Sequence, residues 1–311
     1  MTFLHVRSRR AAYVALLLLT LVWGSNWIVM KAALLHADPL TFNSHRTWLA
    51  VLVLFAALFA RGGRLLPQNW KAVIFTGFFQ TMVNFGATTM AVAGGGAGRA
   101  SVLVFTMPFW TLLIAWPILH ERVRARQTAA IAFAFVGLIL LVSPWSWHGD
   151  VTPKLWAVLS GLAWAAGTVA MKYYQREPGF DLLAFITWQM ALGALPLTVL
   201  PWLFGATPTE WSIAQAALLF YASIIATAGG FLIWMEILRW LPAGTASLNT
   251  FAIPVIALVL SMIVFEERLT DGEWFGIALV AIGLVVLTVE TRRDGRPVAA
   301  LPADPTPLEG G

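Results

Sequence analysis

Apolar residues fill this chain in runs of about twenty, the length a helix needs to cross a bilayer, separated by short polar or basic breaks. The pattern predicts an all-α polytopic membrane protein with ten spanning helices, at 11–35, 40–60, 70–93, 98–119, 127–144, 152–175, 181–204, 212–238, 243–265 and 271–290. The linkers between them are too short for a soluble catalytic domain. Residues 291–311, rich in proline and poor in apolar side chains, read as a disordered tail.

The second feature is a duplication. Residues 97–141 laid over 243–287 at an offset of 146 share 14 of 45 residues without a gap. The shared positions include Gly98/Gly244, Ser101/Ser247, Phe105/Phe251, Pro108/Pro254, Glu121/Glu267, Arg122/Arg268 and Gly137/Gly283. Trp23, Met30 and Lys31 similarly match Trp164, Met171 and Lys172 at an offset of 141, so the first span belongs to the repeat and is not a cleaved leader. The organisation expected is a terminus at 1–10, a five-helix repeat at 11–144, a periplasmic linker at 145–151 and a second repeat at 152–290. Five is odd, so the second repeat enters the membrane inverted, an arrangement typical of secondary transporters.

Charge then sets the orientation. The net charge of +5 invites a nucleic-acid reading, but 15 of the 20 Lys and Arg fall at the N-terminus or at alternate span boundaries. Lys31, Arg46, Arg99, Lys154 and Arg268 are the exceptions. That distribution is a topology signal placing both termini in the cytoplasm, with no nucleic-acid partner expected.

Several chemistries are excluded. There is no cysteine, and the five histidines show no ligand spacing, so neither a metal nor a cofactor is expected. Gly94-Gly95-Gly96 lacks the strand and lysine of a phosphate-binding loop. Ser44-His45-Arg46 are adjacent on a helix and point about 100° apart, so they form no nucleophile–base pair. An enzyme or a receptor remains only a remote alternative.

The chemistry available is that of polar groups at depth, each expensive in lipid. Trp23, Asn26, Trp27 and Met30 share one face of span 1, and Gln80, Asn84 and Thr88 one face of span 3. With Ser101, Trp164, Tyr221 and Asn249 they are the candidate substrate-binding set: Trp23, Asn26, Gln80, Asn84, Ser101, Trp164, Tyr221 and Asn249. The competing reading is that such residues only join helices through hydrogen bonds. Arg46, about 9 Å inside the outer end of span 2 at the helical rise, can hold a substrate carboxylate or tie to backbone carbonyls. His45 can titrate near neutrality. Pro108 and Pro254 break spans 4 and 9, and Glu121 and Glu267 close them, either as structural stops or as gates on opposite sides.

The stretch Trp23-Gly24-Ser25-Asn26-Trp27 through Lys31, with Pro39, Phe42 and Arg46, resembles the start of an EamA-type domain. The duplicated Pro…Glu-Arg…Gly block completes a resemblance to the ten-span form of the drug/metabolite transporter superfamily. The resemblance implies export of small metabolites across a bacterial inner membrane by alternating access without ATP hydrolysis. The aromatic interior is most similar to the amino-acid exporters, the aromatic branch included, with a drug, dye or purine exporter of the same fold as the alternative. The partners implied are a small-molecule substrate and the lipid bilayer; no oligomeric state is implied.

Overall fold

The computed structural model describes residues 8–62, 64–119, 125–142, 150–174, 179–240 and 252–293, and among them every regular element is helical. Helix α1 (Arg9–Ala33) begins at Ser8, whose hydroxyl accepts from the Ala11 N–H at 3.1 Å. Helix α2 (Pro39–Arg61) begins where Asp38 accepts from the Leu40 N–H at 2.8 Å, and Pro39 supplies a first position whose missing N–H costs nothing. The third hydrophobic stretch is α3 (Trp70–Thr76), a π-helical segment π1 (Gly77–Val83) and α4 (Asn84–Gly95). The fourth is α5 (Ala97–Val104) and α6 (Met107–Leu119), followed by α7 (Ala125–Val142).

The later half repeats the layout. It comprises α8 (Thr152–Tyr174), α9 (Leu182–Leu203), α10 (Ile213–Phe220), π2 (Tyr221–Gly229), α11 (Gly230–Trp240), α12 (Ala252–Val264) and α13 (Asp271–Arg293). Shifted by the 146-residue offset of the duplication, π1 falls on residues 223–229, inside π2.

Of the predicted spans at 70–93, 98–119 and 212–238, the first and third run on through a π segment without a gap, and the second is interrupted by a turn. The break in the second of these, at Phe105–Thr106, lies just ahead of Pro108, which has no N–H to give to a preceding turn. Pro108 and Pro254 both stand in the first turn of a helix, α6 and α12. Among the described residues six stretches are long and apolar enough to cross a membrane: Arg10–Ala33, Pro39–Arg61, Ala97–Ile118, Thr152–Tyr174, Leu182–Leu203 and Ile213–Trp234. The apolar α12 is shorter, at 13 residues.

Packing exchanges elements between the halves. Helix α1 lies against α12, π2 and α11, while α8 lies against α5, α6, π1 and α4. Helix α2 packs on α9, α5 on α12, and α7 on α13. Further, α2 touches π2 and α9 touches π1. Large apolar side chains such as Leu17, Leu52, Leu155 and Phe275 stay more than half exposed, a surface suited to lipid and not to water.

The connections sort into two ends. At one, Lys31 Nζ donates to the Val92 and Ala93 carbonyls at 3.2 Å, a cation at the C-terminus of α4. At the same end His36 lies 3.2 Å from Glu210, Gly94 abuts Pro153, and Arg99 pairs with Glu273 at 2.7 Å. At the other, Arg61 pairs with Asp181 at 2.6 Å, and Trp188 Nε1 donates to the Leu65 carbonyl at 2.8 Å. Among the described connections, those near 34–38, 96, 204–212 and 265–270 share one end and those near 62–69 and 179–181 the other.

At the interface of α9 with π1 the two backbones pack directly against each other. A Cβ on Gly77 would lie 2.7 Å from the Gln189 carbonyl oxygen, and one on Gly193 would overlap the Gly77 oxygen. Replacing Gly193 by valine is therefore expected to destabilise the fold by about 1–3 kcal/mol. The measurement is the thermal unfolding midpoint of detergent-purified protein, with Gly62→Ala, whose Cβ would meet nothing but needs a positive φ, as the local-backbone control.

Candidate functional site

The polar residues singled out in the sequence gather where each leading helix meets the π segment of the other half. Helix α1 sends the Trp23 indole N–H to the Ala226 carbonyl of π2 at 2.9 Å. The ring also stands 5.7 Å from Trp234, centre to centre. Gly230 makes room, because a Cβ there would overlap Trp23 Nε1. Two residues along α1, Ser25 Oγ and the Tyr221 hydroxyl are 2.7 Å apart, so Tyr221 faces α1.

The first half offers the counterpart. Gln80 Nε2 in π1 donates to Thr168 Oγ1 at 2.9 Å and to the Trp164 carbonyl at 3.4 Å, both on α8. Gly167 makes room there, since a Cβ would overlap the Gln80 side chain. Four residues on, Asn84 Nδ2 donates to Ser160 Oγ at 2.8 Å and to its carbonyl at 3.1 Å. Thr88 Oγ1 lies 2.6 Å from the same hydroxyl. The i, i+4, i+8 face of Gln80, Asn84 and Thr88 is thus turned onto α8, with both amide nitrogens and the hydroxyl engaged in interhelical bonds.

Other candidates occupy different settings. Ser101 is fully buried in α5 and donates to the Gly98 carbonyl at 2.7 Å. Asn26 is buried on α1 with its Oδ1 unpartnered. Arg46 is 7% exposed; its Nε donates to Thr227 Oγ1 of π2 at 3.0 Å, its Nη1 reaches Met30 Sδ at 3.1 Å, and its Cζ sits 4.7 Å from the Phe85 ring centre. Among the described residues no backbone carbonyl bonds it, and its ties are to side chains. His45 lies nearer the end of α2, 5.6 Å from the Trp211 ring. Glu267 turns its carboxylate to Gly96 and Gly98, at the positive N-terminal end of α5. Glu121 and Asn249 lie outside the described residues.

Sequence reasoning missed Ser160, Thr227 and the pair Gly167 and Gly230. Thr227 carried a usable signal, because Thr81 and Thr227 are partners at the 146-residue offset and fall inside the two π segments. The glycines carried none, since their contacts are with residues far along the chain. Arg99 with Glu273, which also accepts from the Thr270 N–H at 2.9 Å, joins α5 to α13. Among the described residues no group of three His, Cys, Asp or Glu could hold a metal. A cavity of about 610 Å³ lined by Phe55, Leu58, Phe59, Arg64, Leu65, Leu66 and Trp188 includes none of the candidate residues.

Comparison with known proteins matches the EamA-like transporter family twice, over residues 10–143 and 152–289. The chain is 26% identical over 275 residues to the "Uncharacterized transporter YoaV" of Bacillus subtilis, covering 86% of this chain and 94% of that protein. It is 26% identical over 292 residues to a "Probable amino-acid metabolite efflux pump" of Salmonella typhimurium, covering 90% and 95%. A solved structure, described only as "Crystal structure of protein", matches 93% of this chain and all of its own at a TM-score of 0.64 and 19% identity, a likeness of fold alone.

The Asn84–Ser160 pair makes a separate prediction. Asn84→Ala and Ser160→Ala should each cost about 1 kcal/mol, the scale of hydrogen bonds between helices in membranes. The double variant should cost less than their sum, because both remove one interaction. A double-mutant cycle on unfolding midpoints checks this, and strict additivity would dissolve the pair.

Proposed function

This chain belongs to the EamA-like transporter family, and from that premise we propose that it exports amino acids, aromatic ones included, across the inner membrane by alternating access. In this reading the chain is two inverted five-helix repeats with both termini cytoplasmic, and the substrate passes between the repeats. The observation that carries it is the exchanged stitching: α1 to π2 through Trp23, and α8 to π1 through Gln80, at positions related by the duplication. A transporter that opens to each side in turn needs such related, breakable contacts between two bodies.

Further support is chemical. The seam combines indoles (Trp23, Trp234) with amides and hydroxyls (Asn26, Gln80, Asn84, Tyr221), a lining suited to a solute with an aromatic part and a polar head. The printed name of the Salmonella relative, an amino-acid metabolite efflux pump, points the same way. The basic residues concentrated at alternate connections support cytoplasmic termini. At the opposite end, Arg99–Glu273 and the Glu267 contact hold α5 to the α12–α13 connection, the closure expected of an outer gate.

Purified protein in liposomes is expected to give saturable flux of labelled aromatic amino acids, with Gln80→Ala and Trp164→Ala lowering it at least fivefold. Flux of dyes or purines without amino acids would transfer the assignment to that class. The gate has its own test, made clean by the absence of cysteine. Arg99→Cys with Glu273→Cys, bridged by a short bis-maleimide, should stop flux, while either single variant treated alike keeps it. Undiminished flux in the bridged protein would exclude an opening at this end.

A further inference from the structure

We infer that Arg46 is the receptor for a carboxylate on the transported solute, and that Thr227 and Met30 hold its guanidinium only until that carboxylate arrives. This rests on the transport reading above and narrows it, from small metabolites to those bearing a carboxylate.

The starting point is an imbalance of charge. Arg46 is buried about two turns into α2. Burying a guanidinium is costly unless an anion or strong acceptors surround it. The ion pairs among the described residues, His36–Glu210, Arg61–Asp181 and Arg99–Glu273, all belong to the two ends of the helices. Among the described residues no carboxylate is paired with Arg46. Its partners are a threonine hydroxyl, a thioether and the face of Phe85, all neutral, and a thioether is a weak acceptor. A guanidinium has five donors in a planar fork that fits a carboxylate through two parallel bonds. The protein therefore holds a bidentate donor at depth, and none of the described residues supplies its anion.

Unspent polar groups adjoin it. Asn26 stands one turn before Met30 on the same face of α1, and its Oδ1 is buried without a partner. Asn43 stands three residues before Arg46 on α2, fully buried, with neither amide atom engaged. Buried amides left unpaired are uncommon in folded proteins. A zwitterion accounts for both kinds of deficit, its carboxylate taking donors and its ammonium taking an acceptor such as Asn26 Oδ1. An organic cation can use only the acceptor, leaves the donors without an anion and meets an uncompensated positive charge.

The local packing also allows the site to open. The equivalent interface, α9 on π1, is backbone against backbone at Gly77 and Gly193. The α2–π2 interface is spaced by side chains, with Arg46 bonded to Thr227, whose hydroxyl in turn donates five residues back to the Ala222 carbonyl at 2.7 Å. Breaking the Arg46–Thr227 bond parts α2 from π2 without unpairing backbone groups, and the guanidinium exchanges a hydroxyl for a carboxylate.

The test uses liposomes with a labelled aromatic amino acid, its primary amide, its methyl ester and its decarboxylated amine. In unmutated protein the amino acid should compete at least tenfold better than the amide, ester or amine. Arg46→Gln should raise its KM at least tenfold and leave the uncharged analogues within about twofold, whereas Arg46→Lys, a charge without the fork, should fall between. Thr227→Val, which frees Nε but keeps the receptor, should retain the preference for carboxylate. Equal competition by acid and amide in unmutated protein overturns the inference whether or not the variants fold. Unchanged KM in Arg46→Gln overturns it and leaves amino-acid transport standing. If no amino acid is moved, thermal shifts with a panel of organic carboxylates decide: shifts lost in Arg46→Gln retain the carboxylate receptor and retire the amino-acid reading, and their absence retires both.

Discussion

Every polar group inside a body of long apolar helices must find its partner in protein, because lipid offers none. The two π segments lie where this requirement acts between the halves. In π2 the Ala226 carbonyl takes the Trp23 indole and the Ala222 carbonyl takes the Thr227 hydroxyl. In π1 the Gln80 amide reaches across to Thr168 and the Trp164 carbonyl. Each bond crosses from one half to the other or sets up a group that does. The glycines at 167 and 230 follow from the same requirement, since a methyl group at either would displace the side chain that makes the bond.

Similar frames need not have similar interiors. The α9–π1 contact is closed by Gly77 and Gly193, with no space for a side chain between them. The α2–π2 contact holds Arg46, Thr227 and, from α4, Phe85. One interface is fastened by backbone and the other by exchangeable side-chain bonds, so a motion separating the halves meets less resistance at the second. The polar residues differ too: the amide N–H groups facing α8 are bonded, whereas Asn26 Oδ1 and both amide atoms of Asn43 are not.

The ends of the helices complete the arrangement by electrostatics of a milder kind. Lys31 lies at the C-terminus of α4 and Glu267 at the N-terminus of α5, each with the sign that the helix dipole favours. These contacts, with Arg99–Glu273, bind one end across both halves while the interior remains almost free of acids. Charge is thus spent on closing the ends, and the exception in the interior is Arg46.

The membrane class, the approximate helices and the duplication were legible in the sequence, because apolar length and repeated residues are local properties of the chain. So was the face of Gln80, Asn84 and Thr88, since helical spacing alone puts them in line. Which helix that face meets was not legible: it became the hydrogen-bonded seam with Ser160 and Thr168 only through packing between residues about eighty positions apart. The π turns were equally hidden, because the residues of Gly77–Val83 and Tyr221–Gly229 differ almost throughout and only their contacts make them alike. Arg46 shows the division most plainly. Its charge and depth follow from one helix, but that its described partners are a hydroxyl, a thioether and a ring depends on what three other elements bring to it, and only the tertiary structure decides that.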